Sequence, residues 1–288
     1  MTLAPDLAAR LVDIDDAADP RIADYLDIRE RDLVARSGFI AEGTVVLDHL
    51  LRSERFRPTS LFLLKSRVAG IADRLALVPH DVPIFAAERA VMDTVAGFAI
   101  HRGVLAHAVD RNARQRAGES AKDGGETAEL AEFLARSRRA GAPLVVAIGL
   151  ANHDNVGALF RNAAAFGASG LLLDGASCHP LYRKAIRVSV GTALTLPFHH
   201  GADVQAIWKA LERSGHRPIA LSPRGTVDLA ELKPGEGLAL LLGSEGRGLP
   251  ESLLAQTETA RIAMAPGIDS LNVATSAAIV LSRLYSAA

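Results

Sequence analysis

From Pro143 to the C-terminus, short apolar runs alternate with helical patterns almost without a break. This alternation constrains the fold most. A strand buried on both faces reads as a continuous apolar run, and strands separated by helices become parallel neighbours in one sheet. The runs PLVVAIGL (143–150), GLLLD (170–174), RPIALS (217–222), GLALLLG (237–243) and ARIAMA (260–265) read as strands. Helical patterns fall at about 156–166, near 180–187, at 202–214, in a short piece after Pro250 and at 272–286. The expectation is an α/β domain over residues 128–288, built on a parallel sheet covered on both faces. A helix near Ala128 opens it, ending at Gly141 as a C-terminal cap.

A first block, from about residue 20 to 111, has the same character. FIAEG (39–43), TSLFLLK (59–65), VPIFAA (82–87) and GVLAHAV (103–109) read as strands. TVVLDHLLRS (44–53) reads as a helix with Val45, Leu47, Leu50 and Leu51 on its apolar face. A smaller α/β domain over residues 1–111 is expected. Residues 112–127 are polar, glycine-containing and without period, so they read as a flexible linker.

Several function classes are disfavoured. The one cysteine, Cys178, has no partner for an internal disulfide and no zinc-type spacing around it. No apolar run has the length to cross a bilayer, and the acidic first residues do not resemble a secretory signal. A cytoplasmic protein without structural metal or membrane association is expected. The net charge of −1 hides an asymmetry. Residues 1–48 hold 5 Lys and Arg against 11 Asp and Glu, whereas residues 49–116 hold 11 against 6. The basic stretch would suit a phosphate backbone, although on charge alone a solvated surface is the favoured reading.

Ligands of parallel sheets bind beyond the carboxyl ends of the strands. Three loops there carry unusual residues. The first, after strand 143–150, contains Asn155, Gly157 and Arg161. Asn155 fits a helix cap. Arg161 lies among Leu159, Phe160 and Ala163, so it is either a paired structural residue or a functional one. The second, LLLGSEGRGLP (240–250), has glycines that let backbone approach a ligand and adopt positive φ, with Glu245 where a buried strand opens. It lacks the spacing of a P-loop or a dinucleotide fold, which argues against a nucleotide-cofactor oxidoreductase. In the third, RIAMAPGIDSLNVATSAAIVLSRL (261–284), Ser270 or Asn272 would cap the last helix. One cap suffices, which leaves the other side chain free.

In this order, the three loops resemble the motifs of the SpoU (TrmH-like) RNA ribose 2′-O-methyltransferases of the SPOUT superfamily. Asn155, Gly157 and Arg161 match the first motif, and Gly243 to Gly248 the second. Ile262, Met264 and Ser270 to Val273 match the third. RVSVGTALTLPF (187–198) resembles the segment between the first two motifs, and residues 29–51 resemble the start of the family's substrate-binding domain, related to ribosomal-protein RNA-binding folds. Two departures, Asn152-His153-Asp154 before the first motif and Ala263 in the third, replace no expected catalytic residue.

The resemblance implies a trefoil knot in the C-terminal domain, a homodimer, and S-adenosylmethionine as cofactor. It places Leu242, Gly243, Gly248, Ile262, Met264 and Leu271 around that cofactor. Arg161, Asn155, Glu245, Ser270 and Asn272 would form the catalytic set. Arginine is normally protonated in proteins, so Arg161 is expected to clamp a phosphate and align the ribose hydroxyl. A separate N-terminal domain favours ribosomal RNA over transfer RNA as substrate. A non-catalytic RNA-binding member is the main alternative, disfavoured by the intact Arg161, Glu245 and Asn272.

Overall fold

The computed structural model describes residues 5–26, 30–36, 38–96, 102–112, 125–233 and 235–285. Contacts divide the chain into two compact units, Met1–Arg114 with Leu181–Thr195, and Gln115–Pro180 with Leu196–Ala288. Most of the linker expected at 112–127 lies outside the described residues.

The first unit is a five-stranded mixed sheet: β1 (Leu11–Ile14), β2 (Gly38–Glu42), β3 (Phe56–Leu64), β4 (Ile84–Ala87) and β5 (Val104–Asp110), in the order β1-β4-β3-β5-β2. β5 runs antiparallel to β2 and β3, and the β1–β4 and β3–β4 pairs are parallel. Its core gathers Ile22, Tyr25, Ile40, Phe62, Phe85, Met92 and Leu105. The Tyr25 hydroxyl donates to Ser60 O at 2.9 Å, so burying the ring strands no polar atom. In helix Thr44–Arg52, Val46, Leu47 and Leu50 are buried, while Val45 stays 45% exposed. Leu47 and Leu50 are thus buried as expected, with Val46 in place of Val45.

Segment 181–195, placed by sequence order in the 128–288 domain, packs on this first unit. Helix Arg183–Val188 lies on β2, with Arg187 Nη1 4.0 Å from the buried Glu42 carboxylate. The Ser53 hydroxyl donates to Leu194 O at 2.6 Å. Sequence order cannot reveal this, because tertiary contact rather than adjacency decides where a short amphipathic piece settles.

The second unit is a seven-stranded sheet. Its strands are β6 (Leu144–Ala147), β7 (Gly170–Leu173), β8 (Phe198–His200), β9 (Arg217–Leu221), β10 (Val227–Asp228), β11 (Leu238–Leu242) and β12 (Glu258–Arg261), in the order β10-β12-β9-β11-β6-β7-β8. Every pairing is parallel. β6, β7 and β11 are buried along their whole length, as their unbroken apolar runs require. One face packs Leu144, Val146, Leu172 and Leu241 against Phe133 and Leu134 of helix Gly125–Ala140 and Trp208 of helix Val204–Arg213. Helices His153–Ala165 and Val273–Leu284 pack against each other, burying Leu159, Phe160, Ala277, Val280 and Leu281.

The expected strand 260–265 is instead Glu258–Arg261, so Ile262 and Met264 lie past its end. β12 pairs with β9 only as far as Ala260 opposite Leu221. Beyond that, residues 263 and 265–272 are exposed, and Pro266 donates no backbone hydrogen bond. Strands β1, β8 and β10 were not expected, and β8 and β10, with three and two residues, are too short for a period to register.

Candidate active site

The strand order changes course at β6, with β7 and β8 following it on one side and β11 and β9 on the other, while all strands run parallel. Crevices open at the carboxyl ends beside such a point. Here the ends of β9, β11 and β12 and the start of helix Val273–Leu284 line a cavity of about 1180 Å³. Its wall is formed by residues 221–224, 242–249 and 261–273, with Asp228, Glu251, Leu254 and Ser276.

The glycine-rich turn is built by backbone packing. A Cβ at Gly243 would sit 2.2 Å from the Gly248 carbonyl carbon and 2.3 Å from the Leu249 nitrogen. The turn's own closure therefore already requires glycine at position 243. Gly246 and Gly248 have φ of +87° and +68° with open space around them, and Ser244 and Gly248 form an isolated bridge.

Asn155 does not cap its helix. Asn152 does, accepting from Asp154 N at 2.8 Å, because the helix starts at His153, earlier than expected. Asn155 is thus in the first turn and buried, and its amide is free for a distant partner. Its Nδ2 donates to Glu245 Oε1 at 2.5 Å. Asn272 caps the last helix through Oδ1, which accepts from Ala274 N at 2.9 Å and Thr275 N at 3.3 Å. Its Nδ2 donates to Asn155 Oδ1 at 2.9 Å and to Glu245 Oε1 at 3.2 Å. These three side chains, one from each loop, close a triangle in which every hydrogen-bond direction is consistent.

Leu242, Gly243, Glu245, Gly248, Ile262, Met264, Ser270, Leu271 and Asn272 all line the cavity. Ile268 and Leu271 leave 54% and 38% of their surface exposed there. Arg161 is exposed on helix His153–Ala165, outside the cavity lining, with no hydrogen bond or ion pair among the described residues.

The SpoU rRNA Methylase family matches residues 142–282. An uncharacterized tRNA/rRNA methyltransferase of Mycobacterium bovis is 36% identical over 277 residues, which is 93% of this chain and 89% of the relative. The chain belongs to the SpoU methylase family. It is an RNA methyltransferase. Among solved structures, an AdoMet-bound rRNA methyltransferase from Sinorhizobium meliloti is similar in fold, with a TM-score of 0.75 and 21% identity, covering 96% of this chain and 97% of that one. A structure described as an RNA 2′-O ribose methyltransferase has a TM-score of 0.71 at 21% identity, covering 95% and 97%.

The cavity is also lined by residues 223 and 224, which the sequence did not single out. Residues 222–226, after β9, pass so close over β12 that a Cβ on Gly225 would lie 2.3 Å from the Ala260 carbonyl carbon. Arg261 Nη1 donates to Gly225 O at 2.9 Å, and Arg224 pairs with Glu251 at 3.3 Å. The position of residues 222–226 at a strand's carboxyl end was the available signal. Near the loop after β7, burial raises the Cys178 thiol to about 11. Among the described residues, no group of three or more His, Cys, Asp or Glu is placed to hold a metal ion, and no helix is long and apolar enough to cross a membrane.

Proposed function

We propose that this SpoU-family enzyme transfers a methyl group from S-adenosylmethionine to a ribose 2′-hydroxyl of RNA in the cytoplasm, with ribosomal RNA favoured over transfer RNA. The carrying observation is the triangle Asn155–Glu245–Asn272, which ties the three loops together at the cavity. The cavity fits such a cofactor. It is large enough for one, and Ile268 and Leu271 offer apolar surface that an adenine ring would cover. Leu242, Gly243, Gly248, Ile262, Met264 and Leu271 would hold it. The similar structures named for AdoMet and for 2′-O ribose methylation support the same reading.

S-adenosylmethionine supplies an electrophilic methyl group to the attacking oxygen. Glu245, with Oε1 held by two amides, would keep its second oxygen for the ribose hydroxyl. Ser270 would contribute a further hydroxyl beside it. Arg161 would clamp the neighbouring phosphate and align the hydroxyl, as its planar fork suits. Because Arg161 stands outside the cavity lining, we propose that a homodimer brings it to the reacting ribose. Ile279 and Tyr285, exposed on and just after the last helix, are surface that a second copy would cover. The family's trefoil knot and an RNA-binding role for the 1–111 domain, joined by the 112–127 linker to the 128–288 domain, are part of the same proposal.

The test supplies methyl-labelled S-adenosylmethionine with ribosomal or transfer RNA and digests the product to nucleosides. Label in 2′-O-methylnucleosides of ribosomal RNA is expected. Label on bases would end the ribose assignment, and label confined to transfer RNA would end the substrate preference. Cofactor binding without any transfer would favour the non-catalytic alternative. Arg161→Ala should bind the cofactor and transfer nothing.

A further inference from the structure

The loop after β6 leaves the sheet at its centre, and its amides need acceptors once strand pairing stops. Ile148 N still reaches Leu242 O at 2.9 Å. The next two amides are received by side chains following β7. Gly149 N donates to Asp174 Oδ1 at 2.9 Å, and Leu150 N donates to Ser177 Oγ at 2.9 Å. The Ser177 hydroxyl donates to the same Asp174 oxygen at 2.6 Å, and Ser177 N donates there at 3.0 Å. Cys178 N closes the far side on Leu150 O at 2.8 Å. Asp174 is only 4% exposed and stands outside the cavity lining.

The clamped loop is adjacent to the reaction site at both of its ends. Gly149 has φ of +70°, and a Cβ there would meet Ser244 Cβ at 3.5 Å, so the loop abuts the glycine-rich turn. Farther along, Asn152 caps the helix whose first turn carries Asn155. We infer that Asp174 and Ser177 are positioning residues, holding loop 148–152 so that Asn155 meets Glu245 and Asn272. This rests on the methyltransferase reading above. The Asp174 oxygen accepts three donors at once and carries charge, so each bond is strengthened. Loss of the clamp would let the loop drift, and a misplacement on the order of 1 Å at such a site costs up to about 100-fold in rate.

The test compares Ser177→Ala, Asp174→Ala and Asp174→Asn in the full chain. Asparagine keeps the Oδ1 acceptor, so Asp174→Asn should retain most activity. Ser177→Ala and Asp174→Ala should lower kcat by about 10- to 100-fold while the cofactor Kd holds. In the cofactor-free protein, Ser177→Ala should speed hydrogen exchange at Gly149 and Leu150 and leave Leu171–Leu173 protected. A lowered Tm with unchanged kcat and exchange would overturn the inference, as would an Asp174→Asn as inactive as Asp174→Ala. If Asp174→Ala does not fold, the other two variants decide. A wild type that methylates no RNA would sink the methyltransferase reading alone, since the exchange measurement tests the clamp without turnover.

Discussion

Asn272 holds a helix end with its oxygen and the site with its nitrogen, and the two tasks can be separated chemically. Asn272→Ala removes both. It should cost about 1 kcal/mol in stability and lower methyl transfer, read from thermal unfolding and from turnover. Asn272→Asp keeps an oxygen for Ala274 N and Thr275 N, so the helix should remain capped. It also loses the amide donor and sets a second carboxylate beside Glu245. Turnover should then fall at neutral pH with Tm nearly preserved, and equal turnover would show that the triangle does not matter. At this scale the sequence was informative about residue type and weaker about partners. It indicated that Ser270 or Asn272 caps the last helix, and Asn272 does. It offered Asn155 as a cap, yet Asn152, three residues earlier, takes that task. A one-turn ambiguity in where a helix starts is enough to exchange a capping residue for one that bonds to distant loops.

Strands buried on both faces were legible as unbroken apolar runs, and β6, β7, β9 and β11 lie within a few residues of their expected bounds. β1, β8 and β10 were not, and β8 and β10, with three and two residues, are too short to carry a pattern. The 260–265 run was apolar enough to read as a strand, but its second half is exposed and lines the cavity. Apolar residues kept for a ligand and apolar residues kept for a core look alike in a sequence. Burial inside elements also sets a pH dependence. Burial lowers the imidazoles of His107 in β5 and of His216 just before β9 below the ordinary value of 6.5, with Arg138 adding to it for His216 and Asp24 opposing it for His107. The folded protein therefore keeps these rings neutral where the unfolded chain takes up protons. Their contribution is complete above pH 6.5 and is lost as pH falls below it. Urea midpoints should be level between pH 7 and 8 and drop toward pH 5.5, with a smaller drop in His216→Gln.

Contacts group residues 181–195 with the first unit, although in sequence they lie far into the second half of the chain. Since 181–195 packs with the first unit, a fragment of residues 128–288 would leave Ile186 and Leu194 without their partners. Such a fragment should melt below the full chain and aggregate on heating, as light scattering during a thermal ramp would report. A Tm equal to that of the full chain would mean that the segment finds equivalent cover within the fragment. The sheet order has a further implication for biosynthesis. β11 lies between β6 and β9, yet it is translated after both. On the ribosome, β6 must wait with one edge unpaired while β7, β8 and β9 emerge, and the centre of the sheet is completed nearly last. A nascent chain stalled before Leu238 would present that bare edge to its neighbours, the kind of exposure that favours strand-to-strand association.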